Sequence, residues 1–228
     1  MQNDKRLPPG QRLVDGFPRF GSHLSRPAPA VPVDPVIEMR GALTEEFDLP
    51  LATLSTLPRL EVAADFHCVA GWSATDLHWE GVSFKTVYRA IIEPALRPGT
   101  MVTHLVCRGL DGWESVMTIE DALADDVLIA ENLDGRPLNG DHGAPARLVS
   151  PRQYGYISVK HLSRIDVLTA APERAEGLLL RTHPRGRVWE EERHGLFPGK
   201  VVRPIYRTLI APIRFLSSRG ASHSSSDH

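Results

Sequence analysis

The sequence contains few cysteines and shows no strong excess of either charge. Cys68 and Cys107 are the two cysteines among 228 residues, which excludes a disulfide framework. No CxxC pair occurs, so a structural zinc site of that type is not expected. The formal net charge is -2, and no global basic field indicates binding to nucleic acid.

Long hydrophobic runs are also missing. No stretch approaches the roughly 18 apolar residues that a membrane-spanning helix needs. Residues 1–6 contain neither an apolar core nor a twin-arginine pair, so no export signal is predicted and the expected compartment is the cytoplasm. Hydrophobic residues make up 42% of the chain, which is typical of a globular protein with one sizeable domain.

Strand-like and helix-like segments alternate without a regular βαβ rhythm, which predicts an α+β fold. Residues 8–35 are rich in Pro and Gly and predict an extended arm or a disordered tail. We expect a first domain over residues 1–172 and a C-terminal extension over 173–228. Strands are predicted at 36–40, 59–66, 101–107, 115–119, 127–131, 147–149 and 165–168, and short helices at 50–57, 84–93 (with Ser83 as N-cap) and 120–124. The strands at 101–107 and 115–119 are predicted to form a hairpin, with Asp111-Gly112 as its turn.

One thiol stands at a position that favours metal binding. The predicted strand at 59–66 leads into the run Asp65-Phe66-His67-Cys68-Val69-Ala70-Gly71-Trp72-Ser73. A thiol at a strand end, beside a His and before a Gly turn, is well placed to bind a metal as thiolate. The alternative is a buried structural Cys, which is also the interpretation for Cys107 in its apolar strand. Asp65 and His67 are candidates for orienting the ligand, whereas Trp72 and Trp79 are typical core aromatics.

Two further motifs accompany this run. One, at residues 142–151, reads His-Gly-Ala-Pro-Ala-Arg-Leu-Val-Ser-Pro and precedes Tyr154-Gly155-Tyr156 and Lys160. The other is Leu7-Pro8-Pro9-Gly10-Gln11, followed by Gly16-Phe17-Pro18-Arg19-Phe20-Gly21. The three motifs resemble those of the sulfite oxidase family of molybdopterin enzymes and follow one another along the chain in that family's order. The resemblance covers about residues 5–168. The short, haem-free, single-domain bacterial members are the most similar.

The resemblance implies a fold, a cofactor and an activity. The fold would be a mostly β molybdopterin-binding domain with short helices. The cofactor would be Mo-molybdopterin, and Cys68 would be the sole protein ligand to molybdenum. The enzyme would be an oxidoreductase that transfers an oxygen atom to or from a small sulfite-like or S-oxide-like substrate. A different class remains open, namely a catalytically silent molybdopterin-binding or interaction module that docks through the basic C-terminal segment. A third alternative is a cofactor-free domain in which Cys68 is an isolated redox thiol.

The resemblance also implies the residues that bind the cofactor. Arg147 suits a phosphate because its planar fork forms bidentate, charge-assisted hydrogen bonds. For three of these residues the alternative to cofactor binding is an ordinary structural role: a loop histidine at 142, a surface arginine in an ion pair at 147 and a strand threonine at 103. Many family members have Lys where Ile157 stands, so one positive charge fewer is expected here. The implied cofactor-binding residues are Phe17, Pro18, Arg19, Thr103, His142, Arg147, Ser158, Val159 and Lys160.

The sequence gives less information about partners. No CxxCH haem-attachment motif occurs, so electrons are expected to come from or go to an external partner. Residues 200–219 carry five basic side chains and no acid, interleaved with apolar residues. This segment predicts either a helix packed on the domain or a basic amphipathic surface for an anionic membrane or a protein. Residues 217–228 are rich in Ser and His, which predicts disorder.

Overall fold

The computed structural model describes residues 7–20, 25–173 and 182–224, with side chains up to residue 219; Gly21 lies outside this part. The described chain forms two sheets with short helices around them. The strands are β1 (Arg12–Leu13), β2 (Val36–Gly41), β3 (Phe47–Pro50), β4 (Arg59–His67), β5 (Trp72–Ser83), β6 (His104–Gly109), β7 (Glu114–Thr118), β8 (Leu128–Leu133), β9 (Arg136–Pro137), β10 (Arg147–Val149) and β11 (Leu162–Leu168). The α-helices are α1 (Phe84–Val87), α2 (Glu93–Ala95), α3 (Ile119–Ala122), α4 (Gly199–Thr208) and α5 (Ile210–Ser224).

A five-stranded sheet runs in the order β3-β2-β11-β6-β7. Its β2–β11 pair is parallel and its other pairs are antiparallel. The predicted hairpin around Asp111 and Gly112 is confirmed as β6–β7, with Gly112 in the left-handed region at φ 79°. The helix predicted at 50–57 is a 3₁₀ helix over Leu51–Thr56.

A six-stranded sheet is built around β5, which pairs with β4 on one side and β8 on the other. The short β1 of the arm runs parallel to the start of β5, and β10 pairs with β8. The sequence prediction has no strand at β5, although it is the longest in the described chain at 12 residues. Residues 72–74 are buried, so the alternation of polar and apolar residues is visible only between Asp76 and Glu80.

The helix predicted at 84–93 is confirmed with an irregular centre. It begins as α1, widens into a π-helical turn over Tyr88–Ile92 and ends as α2. Ser83 is the N-cap residue as predicted, but its side chain makes no capping hydrogen bond. Leu96 returns to an extended conformation after Pro94.

The six-stranded sheet buries both of its faces. Leu148 and Ile129 belong to the larger core that includes residues of the five-stranded sheet, whereas Val149 and Leu128 belong to a second cluster with Cys68. Successive side chains of a strand point to opposite faces, so Arg147 lies on the same face as Val149. The arm contributes Phe17 to this second cluster, which is the face that carries the predicted site.

The C-terminal extension returns to the domain as helices α4 and α5. Val202 and Ser217 are buried, as expected for a helix packed on the domain. Large apolar side chains also remain exposed on the outer face, at Val201, Ile205, Leu209 and Phe215. Helix α5 includes Ser217–Ser224, where the sequence predicts disorder; residues 225–228 and 174–181 lie outside the described part. None of the described helices has the length and apolar character needed to cross a bilayer.

Candidate active site

Cys68 lies in the tight turn that joins β4 to β5. The Gly71 N–H donates to the Cys68 carbonyl at 3.0 Å, and the Cys68 N–H donates to the Trp72 carbonyl at 2.8 Å. Gly71 has φ 107°, a conformation that side chains strongly disfavour. The arm reaches the same turn, because Gln11 Nε2 donates to the Cys68 carbonyl at 3.1 Å. The turn therefore holds the thiol at a fixed place at the end of a strand, as the sequence predicts.

The thiol of Cys68 is shielded from solvent, with 7% of the residue exposed. Burial raises the pKa of the thiol to about 12, against the opposing influence of the Ala70 backbone and of the charges on Arg193 and Lys160. The sulfur is therefore protonated in the protein alone. A bound metal ion removes such a proton outright.

A buried polar chain supports the Cys68 turn. His67 Nδ1 lies 2.8 Å from Ser73 Oγ, and Ser73 Oγ donates to Gln11 Oε1 at 3.1 Å. Burial lowers the pKa of His67, which favours the neutral ring. His67 thus acts on the turn through Ser73 and Gln11, two residues that the sequence prediction did not assign. Asp65 instead accepts a hydrogen bond from the Asp76 N–H at 3.1 Å.

Arg147 is fully buried, with 0% of the residue exposed. Its Nη1 donates to the carbonyl of His142 and its Nη2 to the carbonyl of Ser158, each at 3.0 Å. Its Nε is buried without a hydrogen-bond partner, and among the described residues no carboxylate forms an ion pair with it. Burial lowers the pKa of Arg147 to about 9. A surface arginine in an ion pair, the alternative open from the sequence, is therefore excluded.

Aromatic rings surround the Arg147 guanidinium. Its central carbon lies 5.1 Å from the ring centroid of Trp79, 5.3 Å from that of Phe66 and 5.9 Å from that of Phe17. Ring faces attract a cation, and the attraction grows when water is excluded. The sheet and the arm thus hold a positive charge in place without neutralising it.

Lys160 extends this cationic cluster, and the imidazole of His142 lies beside both cations. His142 Nδ1 is buried without a hydrogen-bond partner, and burial, Lys160 and Arg147 together lower the pKa of His142 to about 4. Lys160 Nζ donates to the carbonyls of Asp141 at 2.6 Å and Phe20 at 3.4 Å, and burial followed by the charge of Arg147 lowers its pKa to about 7.

Other residues of the prediction are engaged elsewhere. Arg19 lies within 3.1 Å of Asp141 and also donates to the Arg26 carbonyl, so its charge is balanced. Thr103 lies immediately before β6 of the five-stranded sheet, where its N–H donates to the Leu168 carbonyl at 2.9 Å and its hydroxyl contacts His104. Thr103 is therefore not brought into the cluster around Cys68.

The segment after Tyr156 divides between the site and the core. The Ser158 hydroxyl accepts from the Ser150 N–H at 3.1 Å, and the Ser158 carbonyl accepts from Arg147. Val159 is buried in the larger core, and both its N–H and its carbonyl are used within the protein. Pro18 is partly buried in the arm between Phe17 and Arg19. The structure thus brings Ser158 and Pro18 to the border of the site and keeps Val159 in the core.

The side chains present fit a large anionic cofactor. Arg147 and Lys160 are cations with only carbonyl partners, and Asp141 is already paired with Arg19. Buried donors without partners, such as Arg147 Nε, would be satisfied by phosphate oxygens. No group of three metal-binding His, Cys, Asp or Glu side chains occurs in the described part of the chain.

Comparisons with known proteins agree with a site for a large anionic cofactor. A family profile described as "Oxidoreductase molybdopterin binding domain" matches residues 27–175. The "Uncharacterized oxidoreductase YuiH" of Bacillus subtilis is 29% identical over 192 residues, which covers 82% of this chain and 91% of YuiH. The protein-methionine-sulfoxide reductase catalytic subunit MsrP of Xanthomonas campestris is 30% identical over 122 residues, 47% of this chain and 36% of MsrP.

A solved structure shows the same fold. The sulfane dehydrogenase SoxCD of Paracoccus pantotrophus matches with a TM-score of 0.55 over 68% of this chain and 44% of the SoxCD chain, at 22% sequence identity. The predicted α+β, mostly β architecture is thereby confirmed. With the profile matching well over half of its length, this protein belongs to the oxidoreductase molybdopterin-binding domain family, and it is an enzyme whose cofactor is Mo-molybdopterin.

Proposed function

We propose that this enzyme transfers an oxygen atom to or from a small sulfite-like or S-oxide-like substrate, with Cys68 as its single protein ligand to molybdenum. The observation that carries the proposal is the position of the Cys68 turn on the same buried sheet face as Arg147. MsrP is named for reduction of methionine sulfoxide and SoxCD for sulfane dehydrogenation, which supports a sulfur-centred substrate.

Each part of the site has a separate task in this proposal. Cys68 supplies a thiolate, and its backbone bonds to Trp72 and Gln11 fix where the sulfur lies. Arg147, Lys160 and His142 supply cations and donors for the phosphate and the pterin edge. The bound cofactor supplies two-electron oxygen-atom transfer, while the protein supplies binding, orientation and an electric field.

The aromatic rings and the arm would exclude water from this chemistry. Phe17 packs 4.9 Å from Phe66, and Phe20 packs edge-on against Trp72 at 5.4 Å, both measured between ring centroids. Exclusion of water strengthens the interaction between the fixed cations and an anionic ligand. Because the sequence has no haem-attachment motif, we propose that an external partner exchanges electrons with the cofactor.

The proposal is tested by assaying molybdenum and pterin in protein made by a host that synthesises the cofactor. We expect about one molybdenum per chain in the wild type. We expect a loss of the metal in Cys68→Ser, because this variant lacks the single protein thiolate that is proposed to bind molybdenum. The matched control is Cys107→Ser, which alters a buried thiol of the other core and should keep the metal. Full molybdenum in Cys68→Ser, or none in the wild type, would contradict the proposal.

The substrate class needs a second assay. Dye-linked turnover is measured with sulfite, methionine sulfoxide, other S-oxides and N-oxides. We expect turnover with at least one sulfur compound and its loss in Cys68→Ser. A metal-loaded protein that is inert toward every oxygen donor and acceptor would instead favour the silent module.

A further inference from the structure

A buried arginine of the C-terminal extension reaches the turn that holds Cys68. Arg193 has 0% exposure, and it lies outside the segment that matches the family profile, which ends at residue 175. Its Nη1 donates to the carbonyl of Val69, the residue after Cys68. Its Nη2 donates to the Pro9 carbonyl of the arm at 3.1 Å. One guanidinium therefore joins the extension, the arm and the Cys68 turn.

Arg193 is itself held by a second layer of contacts. Its Nε lies 3.3 Å from Glu191 Oε1, and Arg203 of helix α4 approaches the same oxygen at 2.6 Å. Glu191 is 7% exposed and adopts φ 57°, a left-handed conformation that is uncommon outside glycine. Its strained backbone indicates that the surrounding contacts fix this carboxylate firmly.

Glycine at position 10 makes the close approach of the two guanidiniums feasible. A Cβ at Gly10 would lie 2.4 Å from Arg203 Nε and 2.9 Å from Arg193 Nη2. Gly10 also has φ 73°, which a side chain disfavours. The absence of a side chain at Gly10 thus leaves room for Arg193 and Arg203 next to the Cys68 turn.

The charges at this junction are strongly unbalanced. Among the described residues, Glu191 is the one carboxylate that forms ion pairs with Arg193 and Arg203. Arg207 of the same helix approaches the Gly10 carbonyl at 3.5 Å and adds a further cation. These cations place a positive field beside the Cys68 turn, which favours an anionic ligand there.

We propose that Arg193 is a positioning residue of the cofactor site, which holds the Cys68 turn against the arm and keeps a positive charge beside that turn. The C-terminal extension is then a required part of the site and not a separate appendage. This inference rests on the proposed role of Cys68 as the molybdenum ligand. Removing a residue that orients a metal ligand through hydrogen bonds typically lowers metal affinity by about 10- to 100-fold.

The test compares Arg193→Met and Arg193→Lys with Arg187→Met in metal-loaded protein. Arg187 belongs to the same extension and pairs with Glu192, but it does not touch the turn, so it serves as the matched control. The readouts are the rate of molybdenum loss on dialysis, the electron paramagnetic resonance spectrum of the partly reduced protein and its reduction potential. Circular dichroism and thermal unfolding verify that each variant folds.

We expect Arg193→Met to lose molybdenum about 10- to 100-fold faster than the wild type. Its reduction potential should fall, because removing a nearby cation disfavours the reduced, more negative state. Arg193→Lys keeps the charge but not the forked hydrogen bonds, so its potential should stay near the wild-type value while its resonance spectrum changes. Arg187→Met should match the wild type in all three readouts. If Arg193→Met does not fold, the spectrum and the metal retention of Arg193→Lys decide.

The outcomes separate this inference from the function on which it rests. Molybdenum that is lost in Cys68→Ser but retained unchanged, with an unchanged spectrum, in both Arg193 variants would overturn the role of Arg193 and leave the role of Cys68 intact. Molybdenum that is retained in Cys68→Ser would overturn both.

Discussion

The ring of Phe17 lies flat against the imidazole of His142, with centroids 4.6 Å apart and planes inclined by 11°. The same phenyl ring meets Trp79 edge-on, at 5.7 Å and 89°. One side chain of the arm thus contacts both a loop of the cationic cluster and the sheet beneath it. The arm is therefore held by ring contacts directly over the residues that we propose to bind the cofactor.

The first prediction concerns this fastening. Phe17→Ala removes ring contacts worth about 0.5–1.5 kcal/mol per aromatic pair beyond the area they bury. We expect faster hydrogen–deuterium exchange over residues 7–20 and faster loss of molybdenum on dialysis. Leu13→Ala is the control, since Leu13 lies in the same arm with 61% of the residue exposed. Equal exchange in the two variants would show that Phe17 does not hold the arm.

The second prediction separates stability from cofactor binding at Arg147. Burying an unpaired charge costs several kcal/mol, so Arg147→Met should not lower the free energy of unfolding of the cofactor-free protein. The same variant should lose affinity for the cofactor, because its phosphate loses a cation. Urea unfolding of cofactor-free protein and pterin content of loaded protein are the two measurements.

The matched control for Arg147 is Arg185→Met. Arg185 forms an ion pair with Asp121 away from the site, so its loss should cost about 1 kcal/mol or less and leave pterin content unchanged. A large destabilisation by Arg147→Met, with normal pterin content, would mean that Arg147 serves the fold and not the cofactor.

The third prediction is a pH dependence caused by Lys160. The pKa of Lys160 falls from 10.5 to about 7 in the folded protein. Between these values the unfolded chain binds a proton that the folded chain lacks, so the free energy of unfolding rises with pH. This contribution is complete above the unfolded pKa and is lost as the pH falls toward the folded pKa. Denaturant unfolding of cofactor-free protein should show the rise, and Lys160→Met should reduce it. Identical slopes would contradict the assignment.

The fourth prediction concerns the glycine behind Phe66. A Cβ at Gly155 would lie 2.1 Å from the Phe66 ring, so Gly155→Ala should displace the ring and cost about 1–3 kcal/mol. Gly16→Ala is the control, because nothing lies within 4 Å of its added Cβ and only its backbone at φ 65° is strained. Thermal unfolding compares the two variants, and an equal loss would exclude the steric explanation.

Sequence patterns predicted the parts of the molecule that depend on neighbouring residues. The strand before Cys68 and the hairpin at Asp111 and Gly112 follow from alternation and from turn glycines, and both are confirmed. The resemblance through three motifs supplied Arg147, His142 and Lys160, which the structure brings together. Thr103 lies just before β6 and Val159 is buried in the larger core, since an offset along the chain does not determine which side of the molecule a loop residue faces.

Long-range contacts were not predictable from these patterns. Gln11 meets Cys68 across 57 residues, Ser73 meets Gln11 across 62, and Arg193 meets Val69 across 124. No local periodicity connects such partners, because their proximity arises from the folding of the arm and of the extension onto one sheet. The predicted basic segment covers residues 200–219, and Arg193 precedes it and belongs to no motif, so its inward contact was not predictable.

Strand β10 contributes side chains both to the larger core and to the proposed site. Leu148 fills the larger core while Arg147 and Val149 occupy the opposite side. A slip of one residue against β8 would exchange these environments, driving a guanidinium among aliphatic chains and a leucine into the proposed cofactor site. On the proposed role of Arg147, misaligned molecules would be both unstable and unable to bind the cofactor, so correct folding and cofactor loading would depend on the same three residues.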